Sequence, residues 1–410
     1  MGDRESVRTD ESTTALAGSR GAKDPALTPI SPVNRAEHCG WGNEPRLGAG
    51  LQPAFADQPE AFSLGRNGQA RRPRVAHLTH PAFRLPASPT ANGNDCRDPI
   101  AAALSNAPFA TDLLPCAPRP ATDDELALVH TPAYLERARR GAANEPPACE
   151  PARLAAGGVI AAVDATVAAG GPAAVFCAVR PPGHHASADR ARGLCRFNNV
   201  AIAARHAQRQ HGLDRVLILD WDAHHGDGTA AIFAGDPSVL VVSLHQWPLY
   251  PGTGWHTEVG CGAGTGFTVN IPLLPGAGDA VYQAAFARLI EPIAEQFAAQ
   301  LVLVSAGQDA HHANPLSDLG VTTAGFQWLE RAVRRIAERH GDGRHVLALE
   351  DGYDRHADPA VVTAIVAAMG DFPFPPGDGN ASELPSSLSA ADDARLRDVA
   401  KSLAPYWRLD

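Results

Sequence analysis

One stretch constrains this chain more than any other: Val216-Leu217-Ile218-Leu219-Asp220-Trp221-Asp222-Ala223-His224-His225-Gly226-Asp227-Gly228-Thr229, in which an unbroken apolar run stops at a cluster of acids and histidines. Leucine and β-branched side chains without polar alternation suit a central parallel strand covered on both faces. Side chains alternate along an extended chain, so Asp222 and His224 project to the same side and can grip one ion. A solvated, helix-capping turn would use the same residue types. Three Asp and two His between positions 220 and 227, directly after a buried strand, are however expensive to desolvate unless paired or metal-bound.

The same arrangement repeats along the chain. Apolar runs at 75–78, 175–179, 216–219, 239–244, 301–304 and 346–349 alternate with helical patterns at 101–104, 123–128, 132–139, 152–169, 198–211, 280–298 and 323–340. Strands alternating with helices imply an α/β fold, a mainly parallel sheet with helices on both faces in a single domain. Polar groups follow the runs directly: Arg180-Pro-Pro-Gly-His184-His185 after one, Ser305-Ala-Gly-Gln308-Asp309 after another, Glu350-Asp351-Gly352-Tyr353 after a third. Open α/β sheets hold their ligand crevice beyond the strands' carboxyl ends, so these segments can converge.

Asp309 is then the natural third ligand for Asp222 and His224. An oxygen, nitrogen, oxygen set with only three protein ligands leaves a position open for water and substrate, as in a catalytic zinc site; iron(II) accepts the same donors. The tandem pair His184-His185, aimed by a Pro-Pro-Gly loop, is a general-base candidate. Asp220 and Asp227 are available to orient the two rings. Tyr353 can offer its hydroxyl to a developing oxyanion.

The net charge of −10 argues against nucleic acid as a partner. Seven scattered cysteines, never spaced as CxxC, indicate neither a disulfide framework nor a thiolate metal site, and fit a reducing cytoplasm. No apolar run reaches the roughly 18 residues of a membrane span. Residues 1–73 are rich in Gly, Pro, Ser, Arg and acids without hydrophobic periodicity, and read as a disordered tail. Residues 74–370 read as the catalytic domain. Within 371–410, a Pro/Gly/Ser-rich linker leads to an amphipathic helix at 390–403, and Pro405-Tyr406-Trp407 is expected to dock on the domain.

The motifs Arg180-Pro-Pro-Gly-His-His-Ala186, Gly193-Leu-Cys-Arg-Phe-Asn-Asn199, Asp220 to Thr229, Ser243-Leu-His245 with Pro251-Gly-Thr-Gly254, Ser305-Ala-Gly-Gln-Asp-Ala310 and Leu349-Glu-Asp-Gly-Tyr353 occur in one order. In this the chain resembles the zinc-dependent histone deacetylase superfamily, which includes acetylpolyamine amidohydrolases. The resemblance covers roughly 74–370. It implies an arginase-like α/β fold, Asp222, His224 and Asp309 as zinc ligands, and His184 paired with Asp220 and His185 with Asp227. It makes His185 the base that takes a proton from water, and Tyr353 the electrophilic helper. It also implies structural potassium at Asp220, Asp222, His224, Ser243 and Leu244, and a more distant one near Phe233, Asp236, Val239 and Phe267. It places Gly193, Leu194, Tyr250 and Leu316 on the substrate channel.

Departures from that pattern bear on specificity. Leu194 stands where relatives usually carry a channel-wall aromatic, Gln308 where many have Phe, and Asp351 where Gly is usual, a substitution that would strain a turn requiring positive φ. The segment Pro81 to Pro99 lacks the family's usual His-Pro-Glu-Arg run, leaving Glu145 or Glu150 as candidate rim acids. Leu316 replaces the acid that polyamine-preferring relatives can carry, which tilts the substrate toward acyl-lysine or another small acyl-amine. An arginase-type ureohydrolase would need a second acid beside Asp309, where Gln308 and Ala310 stand. A silent acyl-amine-binding protein would have little use for so complete a set of reactive groups.

Overall fold

In the computed structural model, residues 74–83, 97–140, 150–352, 357–375 and 387–409 are described. Among these residues eight strands form one sheet: β1 (Val75–Leu78), β2 (Leu114–Pro115), β3 (Ala174–Cys177), β4 (Val216–Asp220), β5 (Val239–Gln246), β6 (Thr268–Leu273), β7 (Leu301–Ala306) and β8 (His345–Leu349). Their order is β2-β1-β3-β8-β7-β4-β5-β6, and every adjacent pair is parallel.

Both faces of the central strands are buried, which is why no polar residue alternates into them. Leu217, Leu219, Val302, Val304, Leu347 and Leu349 face one hydrophobic layer, and Val216, Ile218, Leu301, Leu303, Val346 and Ala348 the other. Helices Thr323–His340 and Ala357–Met369 contribute to the first layer, helices Glu150–Val167 and Asn199–His211 to the second. The carboxyl ends lie in register: Cys177 pairs with Ala348, Ala348 with Ser305, Ser305 with Asp220 and Asp220 with Ser243. The loops leaving β3, β8, β7 and β4 therefore rise from one edge.

Several elements differ from the sequence reading. The edge strand β6 was not anticipated; Pro272, which cannot donate to a ladder, argues against a strand except at an edge. Strand β2 is only two residues long, and helix Ala357–Met369 is buried all round, so it shows no amphipathic period. The pattern at 280–298 is interrupted by a π turn, Phe286–Ile290, between helices Asp279–Ala285 and Glu291–Phe297. Cys116, Cys177 and Cys195 are free, whereas Cys261 is disulfide-bonded, although the sequence indicated no disulfide framework. Helix Ala390–Leu403 lies against β6, and Trp407 beyond it donates its indole N–H to the Gly266 carbonyl at 2.7 Å. Among the described residues no helix is long and apolar enough to cross a membrane. The expected tail at 1–73 and Glu145 lie outside the described residues.

Candidate active site

The loop after β3 delivers two histidines, each backed by a carboxylate from the β4 segment. His184 Nδ1 lies 3.0 Å from Asp220 Oδ2, and His185 Nδ1 lies 2.7 Å from Asp227 Oδ1. Asp220 is the last residue of β4 and Asp227 the first of helix Asp227–Phe233, so a short turn holds both acids. A carboxylate on Nδ1 fixes the tautomer and leaves Nε2 as the reactive nitrogen. His184 Nε2 is buried without a partner. Burial, and then the neighbouring His184, hold the His185 ring below its ordinary pKa despite Asp227.

Asp222, His224 and Asp309 converge beside this pair, with their ligand atoms all within 4.8 Å of one another. His224 Nδ1 is 3.1 Å from Asp222 Oδ1 and 2.7 Å from Asp309 Oδ2. Backbone groups fix the carboxylates: Ala223 N–H donates to Asp309 Oδ1 at 2.8 Å, and His224 N–H to Asp222 Oδ1 at 2.9 Å. Asp309 Oδ2 is buried with no hydrogen-bond partner of its own, while His224 Nδ1, 2.7 Å away, also faces Asp222 Oδ1. Burial, then the charge of Asp309, push the Asp222 carboxyl well above its usual range. Burial works against a charged His224, yet Asp309 and Asp222 outweigh it and raise that ring to about 11. Two buried carboxylates and an imidazole that leave an oxygen unsatisfied are a donor set that a divalent cation completes. Gly307 is required here by close approach: a Cβ on it would lie 2.0 Å from Asp222 Oδ2.

One aromatic side chain stands beside His185 and His224. The Tyr250 ring stands 5.2 Å from that of His185 and 6.2 Å from that of His224, edge to face. Leu194, Tyr250 and Leu316 are 50%, 46% and 47% exposed, unlike core side chains. Gly193 sits at φ +56 with its α-carbon against the His185 ring; a Cβ there would be 3.0 Å from His185 Cδ2. Leu316 follows the Asp309 loop, which Ser317 ties back by donating its hydroxyl to the Asp309 carbonyl at 2.5 Å.

Of the residues singled out from sequence, Tyr353 lies outside the described residues. Glu150 is exposed at the start of its helix. Asp220 and Ser243 stand side by side in register, with Leu244 next along β5. Asp351 is not among the positive-φ residues, so the expected strain does not arise; its N–H instead points at Asp222 Oδ2 from 3.4 Å. Gln308 is fully buried and donates to the Ala306 carbonyl at 2.8 Å.

Sequence reasoning gave no role to Glu350 or Arg192. Glu350 Oε2 accepts from Gly183 N–H at 2.6 Å and His184 N–H at 3.1 Å, and Oε1 from the Ser305 hydroxyl at 2.9 Å, pinning the histidine loop from β8. Burial pushes its carboxyl up to about 7. An acid immediately after a buried strand was the available signal. Arg192 pairs with Asp227 and lays its guanidinium 5.3 Å from the Tyr250 ring centroid, tying the His185 partner to that ring.

An eight-stranded parallel sheet carrying His/carboxylate pairs and an oxygen, nitrogen, oxygen cluster at its carboxyl edge is the arginase/deacetylase class of α/β fold. The Histone deacetylase domain model matches residues 96–369, and the chain belongs to the histone deacetylase family. It is 43% identical over 265 residues to a probable deacetylase from Archaeoglobus fulgidus, covering 63% of this chain and 73% of that protein. Identity to a histone deacetylase-like amidohydrolase from Pseudomonas aeruginosa is 40% over 262 residues, covering 61% and 69%. Identity to a polyamine deacetylase from Homo sapiens is 37% over 314 residues, 71% of this chain but only 45% of the human protein. Among solved structures, the HD domain of HDA15 superposes with a TM-score of 0.72 at 31% identity, over 82% of this chain and 95% of that one.

Proposed function

We propose that the chain hydrolyses the N-acyl amide of an acyl-lysine side chain or a related small acyl-amine, with a divalent ion, zinc or iron(II), held by Asp222, His224 and Asp309. The observation that carries this reading is the pairing of two His/carboxylate dyads with a three-donor cluster at one sheet edge. Lewis-acid chemistry at the cluster would polarise the acyl carbonyl and acidify water enough for a neutral imidazole to deprotonate it. His185, its Nδ1–H given to Asp227, takes that proton on Nε2. The protonated histidine then returns it to the leaving amine. His184, held by Asp220 and Glu350, keeps a second buried imidazole at the reacting atoms. Tyr353 supplies the hydroxyl that stabilises the oxyanion. Potassium bound by groups at Asp220, Asp222, His224, Ser243 and Leu244 would stiffen the base of the site.

Leu316 favours acyl-lysine over acetylated polyamine, since an internal ammonium would meet an apolar, half-exposed side chain there. Acetate release from acetyl-lysine peptides and acetylated polyamines, before chelation, after it, and with zinc or iron(II) added back, tests the reading. Chelation should abolish activity, add-back restore it, and acetyl-lysine peptides be preferred. No acetate from any substrate by the metal-loaded chain would overturn it.

A further inference from the structure

A second group of ligand-type side chains converges away from the catalytic edge. Asp164 lies on helix Glu150–Val167, and His206 and His211 on helix Asn199–His211. Asp164 Oδ1 is 2.6 Å from His206 Nε2 and 2.7 Å from His211 Nε2, with the two rings 5.5 Å apart. Both imidazoles thus turn the same nitrogen toward one point, at spacings like those of the Asp222, His224, Asp309 cluster, 2.7 and 3.1 Å. Helix Asn199–His211 starts beside the histidine loop, where the Asn198 amide donates to the Ala186 carbonyl at 3.0 Å, and ends ahead of β4. At about 1.5 Å per residue, His206 and His211 lie roughly 10 and 18 Å along it. The group therefore lies down the helix from the catalytic loops.

A neutral clamp between two helices would make the same contacts, but it fits the environment of His206 poorly. That side chain is only 7% exposed, and its Nδ1 is buried without a hydrogen-bond partner, 3.9 Å from Glu125 Oε1. As a neutral clamp, His206 would donate from Nε2 and turn a bare lone pair toward the Glu125 carboxylate. With a cation on Nε2 the proton sits on Nδ1, and the carboxylate behind it becomes its partner, the usual arrangement around a ligating imidazole. Glu125 is held for that role by Arg119, through contacts of 2.8 and 2.6 Å, and by the Thr122 N–H at 2.8 Å. The Asp164 and His211 side chains are 40% and 23% exposed, so an ion can enter and keep water in its remaining positions.

We propose that Asp164, His206 and His211 form a second divalent-metal site, of the zinc, cobalt or nickel class set by two imidazoles and a carboxylate. The ion would tie helix Glu150–Val167 to helix Asn199–His211 and take no part in hydrolysis. The test is equilibrium dialysis of the metal-depleted full chain against buffered zinc(II), followed by elemental analysis. Wild type should hold one zinc more than His211→Ala and one more than Asp164→Asn. Both variants should release acetate within about twofold of wild type, since the site lies outside the catalytic loops. Asp164→Asn, which keeps the side chain's shape, covers the case in which His211→Ala fails to fold. Zinc content equal to wild type in the folded variants would overturn the site. Asp309→Asn in the same dialysis reports on the catalytic cluster separately, so failure of one assignment leaves the other standing.

Discussion

Gly193→Ala tests whether His185 is the reacting ring. The glycine has φ +56, and an added Cβ would stand 3.0 Å from His185 Cδ2. Carbon atoms prefer about 3.5–4.0 Å, so the ring must retreat by about 0.5–1 Å or the loop must shift by as much. A left-handed backbone costs a residue with a Cβ about 1–2 kcal/mol, a loss that lowers the melting temperature by only a few degrees in a chain of this size. The effect on catalysis is larger. A displaced ring strains the 2.7 Å bond to Asp227 and misaims Nε2, and misplacement of about 1 Å can reduce turnover by about 10²-fold. We therefore expect kcat to fall by about 10–100-fold with bound metal unchanged. Steady-state acetate release, a melting curve and elemental analysis together decide it. Wild-type kcat in a variant whose melting temperature has dropped would refute the reasoning that the close approach of Gly193 sets the aim of the His185 ring.

Three shorter predictions follow from other contacts. His185→Ala should reduce turnover by about 10²–10⁴-fold while retaining the metal, as loss of a general base does; near-normal rates would mean the base is misassigned. Leu194→Phe should lower KM for acetyl-lysine by roughly 2–13-fold with kcat little changed, because an added aromatic face is worth about 0.5–1.5 kcal/mol. An unchanged or higher KM would place Leu194 outside the channel. Glu125, hydrogen-bonded by Arg119 and by the Thr122 backbone against an opposing burial effect, has its carboxyl lowered to about 2 from an ordinary 4.5. Its contribution is complete above the unfolded pKa and lost as pH falls toward the folded one. Between about pH 5 and pH 3 the melting temperature should drop more steeply for wild type than for Glu125→Gln; equal slopes would contradict the pairing.

The fold was legible where burial is two-sided and motifs follow it. Val216 to Leu219 could be read as a central strand because nothing polar interrupts it, and the acids beyond it located the sheet edge that carries the site. Strand β6 was not, since its Pro272 and Asn270 break the pattern that an edge strand tolerates. Helix Ala357–Met369 escaped for the opposite reason, being apolar on every side. At the site, the groups proposed to act on substrate were named from their position after strands. Groups that act on other protein groups could not: Glu350 matters through two backbone N–H contacts with a loop more than 160 residues away, and only the sheet order brings them together. The His206 cluster was equally hidden, because its members sit on two helices whose packing no local period encodes.

The most direct test of the central claim is metal content measured beside turnover for Asp309→Asn, a substitution that keeps the side chain's volume and removes the charge at Oδ2. The account predicts that the variant holds one divalent ion fewer than wild type and releases no measurable acetate at any zinc concentration that saturates wild type. Wild-type metal content, or substantial acetate release from the variant, would contradict it.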